Sequence, residues 1–147
     1  MFHRRLLPFV VVVTVLVAGM SSTAHADDLP RRNRMVYLLN QTRLSHGRPV
    51  FRVNATLSHR AWLHSKAMAQ HNRLFHTSNL YDAVRVYRPS AWAENVGMAG
   101  TLSRVRTLWM RSAGHRANIL NARYRRVGIG VVKARGLVWI TAIFYGR

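Results

Sequence analysis

Gly128-Ile129-Gly130-Val131-Val132-Lys133, then Ala134-Arg135-Gly136, then Leu137-Val138-Trp139-Ile140-Thr141-Ala142-Ile143-Phe144: this stretch decides the fold class. Two β-branched runs flank a three-residue turn that contains Gly, so the pattern predicts a β-hairpin. Upstream, the apolar period is helical. Met35, Leu38, Leu39 and Thr42 predict a helix over Pro30 to Ser45, stopped by Gly47 and kept stopped by Pro49. Asn54 is a good N-cap for a second helix. Leu57, Ala61, His64, Met68 and His71 share one face of it and it ends near Arg73. Tyr81 to Ala93 reads as irregular, with Pro89 forbidding a helix. Trp92 to Val96 adds an extended segment, and Gly97 and Gly100 break the chain after it. A third helix runs from Leu102 to Arg111 with Val105, Leu108 and Trp109 turned inward. Gly114 punctuates it, and His115 to Leu120 forms a short helical turn. Helices first and strands last make the class α+β.

The N-terminus reads as a leader. Arg4 and Arg5 form a basic start, Pro8 to Met20 an apolar stretch, and Ala24-His25-Ala26 a small-x-small cleavage site. A membrane anchor is the alternative, but the apolar run is shorter than the roughly 20 residues a spanning helix needs. Residues 1–26 are therefore expected to be a signal peptide, 27–34 a polar, loose lead-in, and 35–147 one domain. Cleavage after Ala26 would leave 121 of the 147 residues, enough for a single core. The chain is thus expected to be secreted, as a monomer. It has no cysteine, which excludes a disulfide-stapled secreted domain and suits a bacterial exported protein.

Charge bounds the partners. Lys and Arg number 23 against 4 acids, a net +19, and removing Arg4 and Arg5 leaves +17. Such a surface attracts polyanions over a distance that salt shortens. An anionic cell-wall polymer or a lipid surface is the expected partner. The basic residues are spread along the chain, and no groove-reading helix or interleaved aromatic-basic motif is present. Specific nucleic-acid binding is not expected.

Glu94 is the only glutamate, in Ala93-Glu94-Asn95-Val96-Gly97. With His76 and His115 it makes a set of three polar residues, each at the edge of a predicted element. Two imidazoles and a carboxylate suit a divalent ion such as zinc, or a water held for general acid/base work. Each also has a plainer reading: His76 as a helix cap, Glu94 as a buried acid on backbone amides, His115 bonded to a loop carbonyl. His64 and His71 read as core-edge or surface residues, His46 and His59 as solvent-facing, and Trp62, Trp92, Trp109 and Trp139 as core aromatics.

Taken together, several motifs carry a resemblance. They are Leu39-Asn40-Gln41-Thr42-Arg43, Ala61-Trp62-Leu63-His64-Ser65 with Met68-Ala69, and Phe75-His76-Thr77-Ser78. They continue with Ala93-Glu94-Asn95-Val96-Gly97, Trp109 to Leu120, Tyr124, Val127-Gly128-Ile129-Gly130 and the Trp139 to Phe144 run. In this order the chain resembles the CAP superfamily (cysteine-rich secretory proteins, antigen 5 and pathogenesis-related proteins), above all its bacterial SCP-like extracellular domains. The resemblance implies an α-β-α sandwich with a central antiparallel sheet. It also implies an open cleft lined by two histidines and, in many members, two glutamates, where a divalent metal can bind. His76, Glu94 and His115 match three of those positions. The fourth is Ser112, a poor metal ligand, and Asn95 supports the set beside Glu94.

The family does not fix an activity. The first expectation is an exported binding domain whose cleft takes a small apolar or peptide ligand. The alternative is a cell-wall or extracellular hydrolase with Glu94 as general acid or base and His76 and His115 holding a metal or water. Glu94 has no second carboxylate except Asp82 for two-acid glycoside chemistry. A Ser112 nucleophile would need His115 beside it, and Gly114 is expected to interrupt the helix between them. Binding therefore ranks ahead of catalysis.

Overall fold

The computed structural model describes residues 23–147, so most of the expected leader, Met1 to Ser22, lies outside the described residues. The elements run α1 (Thr23–Ser45), β1 (Arg52–Val53), α2 (Ala55–His71), α3 (Leu80–Val84), a 3-10 turn (Arg85–Tyr87), β2 (Ala91–Ala99), α4 (Leu102–Arg111), α5 (Ala113–Leu120), β3 (Arg126–Ala134) and β4 (Leu137–Gly146). The strands form one sheet in the order β1-β3-β4-β2. Helices cover both faces, giving the α-β-α sandwich.

β4 shows why the layers form. It is central, and its side chains alternate between two apolar environments. Val138, Ile140, Ala142 and Phe144 pack with Met35 and Leu39 of α1, Val105 and Trp109 of α4, and Ile119 of α5. Ile143 and Tyr145 face Leu57 and Ala61 of α2 and Ala83 and Val84 of α3, and Trp139 faces Met68. A strand buried on both faces reads as a continuous apolar run, not as an alternation. α2 lies so close to β3 that a Cβ on Gly128 would strike Leu57, and one on Gly130 would strike the backbone of Ala61 and Trp62. Ser58 and Ser65 are buried in this contact. Ser58 Oγ accepts from Ile129 N–H at 3.1 Å, and Ser65 Oγ donates to Gly130 O at 3.1 Å.

Several expectations are corrected. The β3–β4 turn is two residues, Arg135 and Gly136, both at positive φ (53° and 74°), with Ala134 opposite Leu137; this geometry matches the strand twist. The sheet is not wholly antiparallel, because β1 pairs parallel with β3 through Arg52–Arg126 and Val53–Val127. The lead-in 27–34 is helical, not loose: Asp28 accepts from Arg31 at 3.2 Å and from Trp62 Nε1 at 2.8 Å. Tyr81 to Ala93 is not irregular throughout, since it contains most of α3 and the start of β2. Gly97 does not break the chain. It lies within β2, where any Cβ would sit 2.8 Å from Trp109 Nε1. Gly114 lies inside α5. Of the four tryptophans Trp109 and Trp139 are core, Trp62 is half-buried, and Trp92 is exposed against Tyr81, ring centroids 4.9 Å apart.

The loop between α1 and β1 is tied to the body by two polar residues of α1. Asn40 Oδ1 accepts from Phe51 N–H at 2.8 Å, and its amide donates to Phe51 O at 3.3 Å. Arg43 is fully buried. It donates to the carbonyls of Pro49 (2.6 Å), Ile119 (2.6 Å), Asn121 (3.0 Å) and Tyr124 (2.9 Å), and lies 3.9 Å over the Phe51 ring. The chain thereby anchors the end of α5, and with it the segment that carries His115.

Candidate functional site

β2 is an edge strand, and successive residues of it point to opposite sides. Glu94 lies opposite Ile143 and faces the α2 side, while Asn95 lies opposite Ala142 and faces α5. On the α2 side the chain leaves α2 through Asn72, whose left-handed backbone (φ 49°) turns it back toward the sheet. That turn brings His76 and Thr77 onto Glu94.

The Glu94 carboxylate is buried, its side chain 2 % exposed, while that of His76 is 63 % exposed. Glu94 Oε1 accepts from His76 Nδ1 at 2.8 Å and from Thr77 N–H at 2.9 Å; Oε2 accepts from the Thr77 hydroxyl at 2.6 Å. A carboxylate only accepts, so His76 Nδ1 carries the proton of this bond, and Nε2 is left outside it on a largely exposed ring. Glu94 is thus committed to orienting His76.

On the other wall, His115 sits in the first turn of α5. Its Nδ1 is 2.9 Å from Ser112 Oγ, so the two are neighbours, contrary to the expectation that Gly114 would separate them. Its ring stacks on Trp109, centroids 6.2 Å apart, and Trp109 Nε1 donates to Val96 O at 2.9 Å. Asn95 fixes the backbone of the same residue. Its amide donates to His115 O at 3.0 Å, and its oxygen accepts from Asn118 at 2.9 Å. The half-buried imidazole has its pKa lowered from the ordinary 6.5, first by burial and then by the charge of His76. The two histidines are therefore close enough to feel one another's protonation, and burial favours the neutral ring.

A concavity of about 230 Å³ lies beside His115, lined by Leu74, Met98, Leu108, Trp109 and Ser112 among others. Leu74, Met98 and Leu108 are exposed. Leu108 is therefore a cleft wall and not the core residue that its helical phase suggested. Thr77, Leu74 and Met98 were missed by sequence reasoning. The available signal was a hydroxyl next to His76 and apolar residues at element ends with no core to enter.

The five expected site residues divide into two bonded groups, Glu94 with His76 and Ser112 with His115, and Asn95 braces the second from behind. Asp82, the one conceivable partner acid, is exposed and engaged by Asn79 at 2.6 Å and Arg85 at 3.4 Å. Among the described residues no three His, Asp or Glu side chains form a group able to hold a metal ion.

Residues 36–144 match the model of the cysteine-rich secretory protein family, CAP. The chain belongs to the CAP family. It is 32 % identical over 121 residues to the uncharacterized protein YkwD of Bacillus subtilis (strain 168), covering 78 % of this chain and 46 % of that one. An extracellular protein of Bacillus anthracis containing an SCP domain superposes with a TM-score of 0.70 at 24 % identity, over 82 % of this chain and 41 % of the other. The CAP chain thus spans less than half the length of these two relatives. The crystal structure of NaASP2 with Zn2+ shares the fold at a TM-score of 0.55 and 11 % identity, over 87 % of this chain and 82 % of that one. Among the described residues no helix is long and apolar enough to cross a membrane.

Proposed function

We propose that this CAP domain is an exported binding protein whose cleft holds a divalent cation, zinc, between His76 and His115. The concavity beside His115 takes a small apolar or peptide ligand, and the basic surface keeps the protein on an anionic wall polymer or lipid surface. One observation supports the reading: both histidines have Nδ1 already engaged, one by a buried carboxylate and one by a hydroxyl. That is the outer-shell arrangement that aims an imidazole at a metal and raises its basicity. Zinc bound in this way would have open positions filled by water or ligand, and would act as a Lewis acid toward them. The CAP relative crystallised with Zn2+ and the extracellular relative from Bacillus anthracis lend support.

Ser112 sets a limit on the affinity. A hydroxyl either donates or accepts, so it tolerates both tautomers of His115, where a carboxylate would select the one with a bare Nε2. Export has support in α1. Cleavage after Ala26 would put Asp27 and Asp28 in the first turn of the helix, where acids are favoured. Pro30 would fall among the first four residues, whose N–H groups have no partner within the helix. Binding ranks ahead of hydrolysis because the Glu94 carboxylate is buried and already accepts three hydrogen bonds.

Calorimetric titration of the chain with zinc at neutral pH, alongside His76→Ala and His115→Ala, tests the cation site. The expected result is micromolar binding that is lost in both variants. Binding that survives either substitution, or none in the parent chain, would refute a shared site.

A further inference from the structure

The basic residues are spread along the sequence, but the fold gathers four of them. Arg52 of β1, Arg125 and Arg126 at the start of β3, and the C-terminal Arg147 line one concavity of about 450 Å³ with Pro49 and Val50. Arg52 and Arg126 lie directly opposite in the β1–β3 pair, a placement of like charges that costs stability. Asp28, Asp82 and Glu94 are engaged elsewhere: Asp28 with Arg31 and Trp62, Asp82 with Arg85 and Asn79, Glu94 with His76 and Thr77. No Asp or Glu is among the residues that line the pocket. Among the described residues the guanidinium groups of Arg52, Arg125 and Arg126 have no hydrogen-bond or ion-pair partner, and Arg147 uses only its Nε, on Tyr87 O at 3.1 Å.

We infer that this pocket is a phosphate site, which takes the phosphodiester groups of an anionic polymer. The inference rests on the proposed adhesion of the basic surface to anionic polymers and narrows it to one place and one chemistry. Guanidinium forks match phosphate oxygens two at a time, and a tetrahedral phosphate can meet forks arriving from several directions, whereas a planar carboxylate occupies one or two. The site is concave, which suits a chain threading through it better than a flat bilayer face. No aromatic ring lines it to stack on bases. The positive field also reaches inward, since the charge of Arg125 contributes to the lowered pKa of buried Arg43. A bound anion relieves that field, so phosphate binding raises the melting temperature.

Pyrophosphate, a soluble poly(glycerol phosphate) and phosphatidylglycerol vesicles are the probes, each applied to the full chain at low salt. The site variant is Arg52→Gln/Arg126→Gln/Arg147→Gln. The charge-matched control is Arg60→Gln/Arg104→Gln/Arg116→Gln, all at exposed positions. The site variant is expected to lose about tenfold or more in pyrophosphate and polymer affinity, and the control less than about threefold. Equal losses in the two variants would sink the pocket while leaving general adhesion standing. No pyrophosphate binding by the parent chain would also sink it. Vesicle binding that falls with the site variant assigns the lipid headgroup to the same pocket, and vesicle binding that does not assigns the soluble polymer alone. If the triple variant folds poorly, Arg52→Lys/Arg126→Lys keeps the charge and removes the forks. It should weaken pyrophosphate binding several-fold with the melting temperature unchanged, and undiminished binding would overturn the inference.

Discussion

Arg43 and Glu94 are both buried charged side chains, and neither has a full-time counter-ion of ordinary kind. Arg43 is met by four backbone carbonyls and an aromatic face, in a site closed to solvent. Its pKa is lowered to about 10 by burial and by the charges of Arg125 and Arg48, so it stays charged at neutral pH. Its partners are fixed parts of the fold. Glu94 is met by one backbone amide, one hydroxyl and one imidazole, and that imidazole is largely exposed. A buried charge whose partners are all backbone holds segments together. A buried charge whose partner is a solvent-facing titratable ring passes its influence outward. Exposure of the partner, more than burial of the charge, is what separates Arg43 from Glu94.

Breaking the first ion should have the largest effect. Arg43→Met removes the donors from four carbonyls, and buried acceptors left without partners cost about 1–3 kcal/mol each at most. The net expectation, after the relief of a buried charge, is a loss of about 3 kcal/mol or more against a typical total of about 5–15 kcal/mol. Urea denaturation would measure it, and Arg43→Lys should fall between, since an ammonium cannot reach acceptors in three directions. A loss under about 1 kcal/mol for Met would mean that the carbonyls are satisfied without the guanidinium.

Glu94→Gln sharpens the contrast, because it should spare the fold and injure the site. The amide oxygen can still accept from His76 and Thr77 N–H, and its NH₂ can donate to the Thr77 hydroxyl, so stability should change by about 1 kcal/mol or less. The charge behind His76 is lost, and outer-shell losses of this kind weaken metal binding by about 10–100-fold. Zinc affinity unchanged in a folded Glu94→Gln chain would show that His76 needs no anionic anchor.

How much of this was legible in the sequence follows the same division. The hairpin, the helices and Asn54 as a cap were readable because each is written in local periodicity or local hydrogen bonding; the Leu57 N–H does bond Asn54 Oδ1, at 3.0 Å. His76, Glu94 and His115 could be singled out by rarity and by position at element edges. Their geometry could not. Thr77 as a partner of Glu94 depends on the turn after α2, and the Ser112–His115 contact depends on α5 starting one residue before Gly114. Arg43 was invisible as an ion because nothing nearby in sequence accepts from its far end; the acceptors at Ile119, Asn121 and Tyr124 lie more than 75 positions away. The arginine pocket was hidden for the same reason, since Arg52 and Arg147 reach Arg125 and Arg126 only when β3 pairs with β1 on one side and with β4 on the other.

The smallest expected effect is on the pH dependence of stability, and it tests whether the cleft histidines are coupled. The folded pKa of His115 lies below its ordinary 6.5, so the unfolded chain binds a proton more readily than the folded one. The sign follows: stability from this group is fully present above pH 6.5 and is lost as pH falls through the lowered folded value. Denaturation midpoints for the parent chain should therefore drop between neutral and mildly acidic pH. His115→Asn should flatten that drop. Burial is the larger cause and the charge of His76 the lesser, so His76→Gln should flatten it only in part. A slope that His115→Asn leaves unchanged would place the titration elsewhere. A slope insensitive to His76 would mean that the two rings stand too far apart to share a cation.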